Sequence, residues 1–220
     1  MAMMCVVTAY AQEEEDDDYE SPHGIAIDLG IGVGTPTNAP DGYGFAPFKS
    51  MEWIIGLRYT YTPKKSSHTY SVGLWLNWRR YGLATDRQFD MVEDSYANHK
   101  VVGLTDYPAG ATHRSSRIGI FSLSVPLMFS QRFGRDSKFK LTVGPVINFN
   151  VRGRINSSYE LGDEDVDVSI KDFEYRPVTI DFMGMLTYKG IGVYGKYSPM
   201  SVLKTDQGPQ FHSLSFGLYF

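Results

Sequence analysis

The sequence predicts an all-β protein, an eight-stranded antiparallel up-and-down transmembrane β-barrel, on three observations. Eight segments alternate apolar residues with small or polar ones at period two, the pattern of strands with two unlike faces. The connections between them alternate long and short, as in barrels with tight turns at one membrane face and long loops at the other. The apolar phase is too bulky to fit inside so narrow a barrel, and the opposite phase is rich in glycine.

The elements follow in order. "GIAIDLGIGVG" presents Ile25, Ile27, Leu29, Ile31 and Val33 on one face, with Ala26, Asp28, Gly30 and Gly32 on the other. "MEWIIGLRYTYT" sets Met51, Trp53, Ile55, Leu57, Tyr59 and Tyr61 against Glu52, Ile54, Gly56, Arg58 and Thr60. "YSVGLWLNWRR" sets Tyr70, Val72, Leu74, Leu76 and Trp78 against Ser71, Gly73, Trp75, Asn77 and Arg79. "FSLSVPLMFS" (121–130) and "FKLTVGPVINFNVR" (139–152) continue the pattern, the second setting Lys140 and Arg152 in the polar phase. "VTIDFMGMLTY" and "IGVYGKYS" bring Asp181, Tyr194 and Lys196 to that phase, and "HSLSFGLYF" closes the set. The two-residue turn Lys189-Gly190 fixes a hairpin register in which Tyr188 faces Ile191, Leu186 faces Val193 and Phe182 faces Tyr197.

Volume assigns the faces. The apolar phase totals forty side chains, and an eight-stranded barrel has room inside for only enough side chains to fill it. The apolar set must therefore face outward, toward lipid, with the small phase inside. A soluble β-sandwich would bury the same residues between two sheets. It would then put seven of these glycines on its solvent face, and it would need crossings in place of successive hairpins. With both termini in the periplasm, Tyr59, Tyr61, Tyr70, Phe129, Phe139, Tyr188 and Phe220 form an inner aromatic belt. Trp53, Trp78, Phe121, Phe149 and Tyr197 form an outer one.

Composition bounds the rest. A chain of 220 residues suits one domain or one barrel, and a net charge of −4 without a basic stripe excludes nucleic acid as a partner. The lone Cys5 excludes an intrachain disulfide. No apolar run reaches the length of a transmembrane helix, a test that does not bear on strands. Residues 1–11 read as the remnant of a signal peptide, with Ala9-Tyr10-Ala11 as a cleavage pattern and the true start upstream. Residues 12–22 read as an acidic tail and 23–220 as the barrel. An apolar tail on a cytosolic protein and a lipid-modified Cys5 are the competing readings of the first stretch.

Val125-Pro126-Leu127, a short polar turn and Val143-Gly144-Pro145, with the final "IGVYGKYS" and "SLSFGLYF", carry a family resemblance. The chain resembles the Bacteroidota outer-membrane β-barrel family often called PorT-like, at the level of pattern over residues 23 to 220. The resemblance implies an eight-stranded barrel in the outer membrane of a Gram-negative bacterium and does not imply one activity. The terminal Phe220 likewise resembles the signal that barrel-insertion machinery reads.

No catalytic constellation emerges, and no cofactor or metal is expected. The polar phase holds Asp28, Glu52, Arg58, Arg79, Lys140, Arg152, Asp181 and Lys196. These read as a structural network filling the lumen, because buried charges need partners; a charged ion path is the alternative. Lys196 sits diagonal to Asp181 across the Lys189-Gly190 hairpin. His212-Ser213 lacks the two-residue offset of outer-membrane lipid deacylases. Asp163, Asp165, Asp167 and Glu174 have EF-hand-like spacing, but Val168 stands where glycine is needed, and Val166, Val168 and Ile170 read as a strand continuing above the membrane. The long segment 82–116 holds His99 and His113 without metal spacing and reads as functional or disordered.

The expected role is a non-enzymatic structural or surface-binding one. The expected partners are outer-membrane lipids, with a protein or glycan ligand at loops 34–50, 82–116, 156–177 and 199–210. An accessory subunit of a secretion or assembly machine and a lipid-modifying enzyme are the alternatives.

Overall fold

The computed structural model describes residues 21–64, 66–93, 99–133 and 138–220. The signal remnant read at 1–11 and nearly all of the acidic tail read at 12–22 lie outside the described residues. The described residues form eleven strands: β1 (His23–Thr37), β2 (Met51–Tyr61), β3 (His68–Gly82), β4 (Arg87–Glu93), β5 (Lys100–Asp106), β6 (Ala111–Phe133), β7 (Phe139–Leu161), β8 (Glu164–Ile170), β9 (Val178–Tyr188), β10 (Ile191–Ser198) and β11 (His212–Tyr219). Eight of them close an antiparallel ring in the order β1-β2-β3-β6-β7-β9-β10-β11, with β11 pairing back onto β1. The seam runs from Gly30 opposite Tyr219 to Thr37 opposite His212. Beyond it, Phe220 exchanges both backbone hydrogen bonds with Leu29, at 2.8 and 3.0 Å.

Each period-2 segment read from the sequence is a ring strand. The Lys189-Gly190 turn has φ of 50° and 91°, the double left-handed geometry of a type I′ hairpin, and it enforces the expected pairs Tyr188–Ile191, Leu186–Val193 and Phe182–Tyr197. The apolar phase faces outward around the ring: Leu57, Leu74, Leu127, Leu186, Val193 and Phe216 are all exposed. From Tyr61 to Met51, ten steps of ~3.3 Å along a strand tilted by about 40° make a band roughly 25 Å tall, the height of a bilayer's hydrocarbon layer. Rings cluster at its lower edge, where Phe139 lies 4.9 Å from Tyr188 and Tyr70 lies 5.6 Å from Phe129. At the upper edge Trp78 and Phe121 stand 4.9 Å apart.

The inside is filled. Trp75 and Tyr194 project into it, and the small residues opposite make the room. A Cβ added to Gly56 would meet the Trp75 ring at 2.4 Å, and one added to Gly32 would meet the Tyr194 hydroxyl at 2.2 Å. Ile54, Met128, Val146, Met183 and Met185 complete the packing around them.

Two features depart from the sequence reading. First, β6 and β7 do not stop at the membrane edge. Both continue for 23 residues, and β8 adds to the outer end of β7 through the predicted alternation of Val166, Val168 and Ile170. Within 82–116, β4 and β5 form a hairpin from Arg87–Asp106 to Glu93–Lys100. Second, Arg152 does not point into the lumen. Phe121 pairs with Arg152 while the next residue, Ser122, pairs with Asn150, so Val151 is an extra residue in β7. That bulge shifts the alternation by one. Val151 and Arg152 are both exposed, and above them Gly153, Ile155 and Ser157 become the inward set.

Candidate functional site

The interior at membrane height is a hydrogen-bonded charge network to which all eight ring strands contribute. On β1, Asp28 accepts from Arg58 Nη2 at 3.0 Å and Trp75 Nε1 at 2.6 Å, and from the Tyr219 hydroxyl. On β2, Glu52 accepts from Asn77 Nδ2 at 2.9 Å and the Tyr194 hydroxyl at 3.3 Å, and from Lys196 Nζ. Lys196 also lies 3.4 Å from Asp181, the diagonal pair expected across the β9–β10 hairpin. Asp181 accepts from Asn148 Nδ2 at 2.8 Å and from Arg79 Nη1 at 3.5 Å. Arg79 reaches on to Ser122 Oγ at 3.2 Å and Asn150 Oδ1 at 3.0 Å.

The charges balance locally. Asp28 offsets Arg58, while Glu52 and Asp181 offset Lys196 and Arg79. All six are buried. At this burial an unpaired charge would cost several kcal/mol, roughly, so every one carries a partner. Of the eight residues read as lumen network, Lys140 stands apart: it is half-buried near the lower mouth, opposite Arg132 in the β6–β7 ladder. Arg152 lies outside on the barrel wall, for the reason given above. Sequence reasoning missed Asn77, Ser122, Asn148 and Asn150 as members of the network, although all four sit in the inward phase, where a small polar residue beside a charge is the available signal.

Above the network the interior changes character. Tyr81, Leu83, Phe89, Val102, Ile118, Ile155, Leu203 and Phe211 form a second buried core drawn from β3 to β7 and from the loops. The Val102 amide donates to Gln207 O at 3.0 Å, and Phe45–Leu83 and Tyr175–Leu203 are single bridges. The four long connections therefore pack together as a cap over the barrel mouth.

Pairing or burial shifts three of the cap's titratable groups. The Glu174 carboxyl is held below its ordinary range by a 2.6 Å hydrogen bond from Lys204 and by that ammonium's charge. Burial pushes the Tyr43 and Tyr107 phenols up, with Arg87 and Arg114 opposing. The EF-hand-like acids are dispersed: Asp165 and Asp167 lie in β8 opposite Glu160 and Ser158, and Glu174 is committed to Lys204. Among the described residues no group of three or more His, Cys, Asp or Glu side chains could hold a metal. His212 sits at the outer end of β11 beside the Tyr197 hydroxyl at 3.2 Å, while Ser213 is buried on the opposite face.

No protein-family model matches the chain, and no curated protein sequence matches it. Among solved structures it is similar to Ail, the attachment invasion locus protein of Yersinia pestis, at 11% identity and a TM-score of 0.37, over 90% of this chain and 99% of that one. It is also similar to Neisserial surface protein A, at 11% identity and a TM-score of 0.36, over 89% of this chain and 97% of that one. The eight-stranded ring itself stands on the strand pairing described above.

Proposed function

We propose that the chain is an integral outer-membrane barrel, with periplasmic termini and a filled lumen, whose capped outer loops serve a non-enzymatic structural or surface-binding role. One observation carries this reading: a continuous apolar exterior about 25 Å tall encloses an interior that buries six paired charges, the reverse of a water-soluble protein. Such an exterior needs lipid, and a closed barrel is the only β-architecture that leaves no edge there. Single-chain barrels of this kind are bacterial outer-membrane proteins. Placement within the PorT-like group rests on Val125-Pro126-Leu127 and Val143-Gly144-Pro145. In the fold these are where the β3–β6 ladder skips two pairs and where Gly144 lets the Leu127 carbonyl approach closely.

The test is reconstitution. Denatured protein diluted into lipid vesicles should insert, resist carbonate extraction and migrate faster on gels when left unheated. A monodisperse protein that stays in solution without detergent would overturn the membrane reading. In planar bilayers the inserted barrel should show no steady current, because Trp75, Tyr194 and the paired cations fill the bore. A reproducible ion-selective conductance would replace the filled-lumen reading with a transport path.

A further inference from the structure

The outer rim of the barrel carries arginines on one side. Three antiparallel rows cross β3, β6 and β7 there. The lowest row is Trp78, Phe121 and Arg152, the next is Arg80, Gly119 and Arg154, and the top one is Gly82, Arg117 and Asn156. In the middle row two outward arginines flank a residue with no side chain. A Cβ at Gly119 would meet only the carbonyl oxygens of Arg154 and Arg79, at 3.7 and 4.0 Å, so the space between the arginines is open. The result is a notch of about 450 Å³ with an aromatic floor and guanidinium walls.

Three facts make this notch unlike the rest of the rim. Arg80, Arg117 and Arg152 are exposed and Arg154 is half-exposed, and among the described residues none of the four has a carboxylate within 4.0 Å. By contrast, Arg58, Arg79, Arg87 and Arg114 each have a carboxylate, and Arg176 in the cap donates to Thr205 Oγ1 at 2.9 Å. The bulge at Val151 is what turns Arg152 and Arg154 to the outer wall, so a break in the ladder builds the cluster. The cluster also begins where the apolar band ends, at the row of Trp78 and Phe121, which is the headgroup level of a bilayer.

From this arrangement we infer that the notch is a binding site for an anionic, phosphate-bearing lipid headgroup of the leaflet at the capped end of the barrel. The chemistry is complementary at both ends of such a molecule. Guanidinium groups present paired N–H donors that match phosphate oxygens, and three of them, on Arg80, Arg152 and Arg154, line one open space. The acyl chains would run down the band past Leu76, Leu123 and Phe149, directly below the aromatic floor. A soluble anion would gain the guanidinium contacts but nothing from that apolar path. The inference rests on the membrane reading above.

The experiment uses the full barrel in nanodiscs of phosphatidylcholine with a minor fraction of phosphatidic acid. Native mass spectrometry of the released protein counts the lipids retained. Phosphatidic acid should be retained over phosphatidylcholine, and millimolar inorganic phosphate should not displace it. Arg80→Gln with Arg154→Gln should reduce the preference by roughly 25-fold, each substitution weakening retention by roughly fivefold, as expected for loss of one basic residue facing an anionic lipid. Arg152→Gln alone should weaken it by one such step, and Arg87→Gln, in the cap, should leave it unchanged. Equal retention of the two lipids, or an unchanged preference in the double variant, would overturn the site. Displacement by inorganic phosphate would make it a soluble-anion site and overturn the lipid assignment. A barrel that never enters nanodiscs defeats the membrane reading instead, so the two failures are distinguishable.

Discussion

The two halves of β6 follow opposite rules. From Phe121 to Phe129 the inward residues include Ser122 and Ser124 and the outward ones are Phe121, Leu123, Val125, Leu127 and Phe129. From Ser116 to Ile120 the inward residues are Ser116, Ile118 and Ile120, and the outward ones are Arg117 and Gly119. The backbone alternation is continuous, so the surroundings alone differ. The lower half stands in lipid, where apolar groups lose nothing by exposure and the polar groups gather inside. The upper half stands in water, where the hydrophobic effect buries Ile118, Ile120 and Ile155 under the cap. The reversal falls between Ile120 and Phe121, at the upper edge of the apolar band, and the bulge in β7 sits opposite it.

Substitutions can break this contrast from either side. The largest effect is expected inside the membrane half. Arg79→Met leaves Glu52 and Asp181 to share Lys196, one buried carboxylate too many, and should cost about 3–5 kcal/mol in urea unfolding from lipid vesicles. Arg79→Met combined with Asp181→Leu restores the balance and makes this layer resemble the cap core. Most of the lost stability should return. If the double variant is as unstable as the single one, the network is needed for more than charge balance.

In the cap, Ile118→Ala removes a fully buried side chain and should cost about 2–5 kcal/mol. Its counterpart four residues on, Ser122→Ala, loses only the hydrogen bonds to Asn150 and Arg79, about 1 kcal/mol by the usual worth of such bonds. Equal costs at the two positions would mean the interior does not change character where β6 crosses the rim.

On the outer face the order inverts. Leu74 lies midway between Tyr70 and Trp78 and so at the centre of the band, where Leu74→Arg should cost about 2–4 kcal/mol. Arg80→Leu, six residues further on and above the belt, should change stability by about 0.5 kcal/mol or less. An unchanged stability in Leu74→Arg would reverse the assignment of faces.

The ring was legible because a period of two survives in every strand and the face argument needs only side-chain volume. The network was partly legible for the same reason: charge in the inward phase must be paired, and the Lys189-Gly190 turn alone sets Lys196 near Asp181. Arg152 was not, because a one-residue bulge leaves no mark in the period-2 pattern until both neighbouring strands are aligned. The outer extension escaped for a related reason. Ile118 and Ile120 are in the opposite phase to Phe121 and Leu123, so a single-phase reading ends the strand where the solvent changes. Two phases that meet within one strand are the sequence signature of a barrel wall that continues into water.

The smallest expected effect lies at the top of the cap, where Glu174 and Lys204 join the loop after β8 to the loop after β10. Their neighbours are tied by backbone, with the Arg176 amide donating to Val202 O at 2.8 Å. Both side chains are about half exposed, so salt screens the pair and its contribution is small. Its pH dependence is nonetheless readable. The folded-state pKa of Glu174 is depressed below 4.5, so what the pair contributes is fully present above that value and is lost as pH falls through the lower, folded one. Hydrogen exchange at the Arg176 amide reports local opening of this joint. Protection relative to Lys204→Met should be constant from neutral pH down to about 4.5 and should converge on it below. Raising ionic strength should narrow the difference at every pH. Indistinguishable protection in the two proteins at pH 6 and low salt would mean the cap is held by its apolar core and backbone bridges alone.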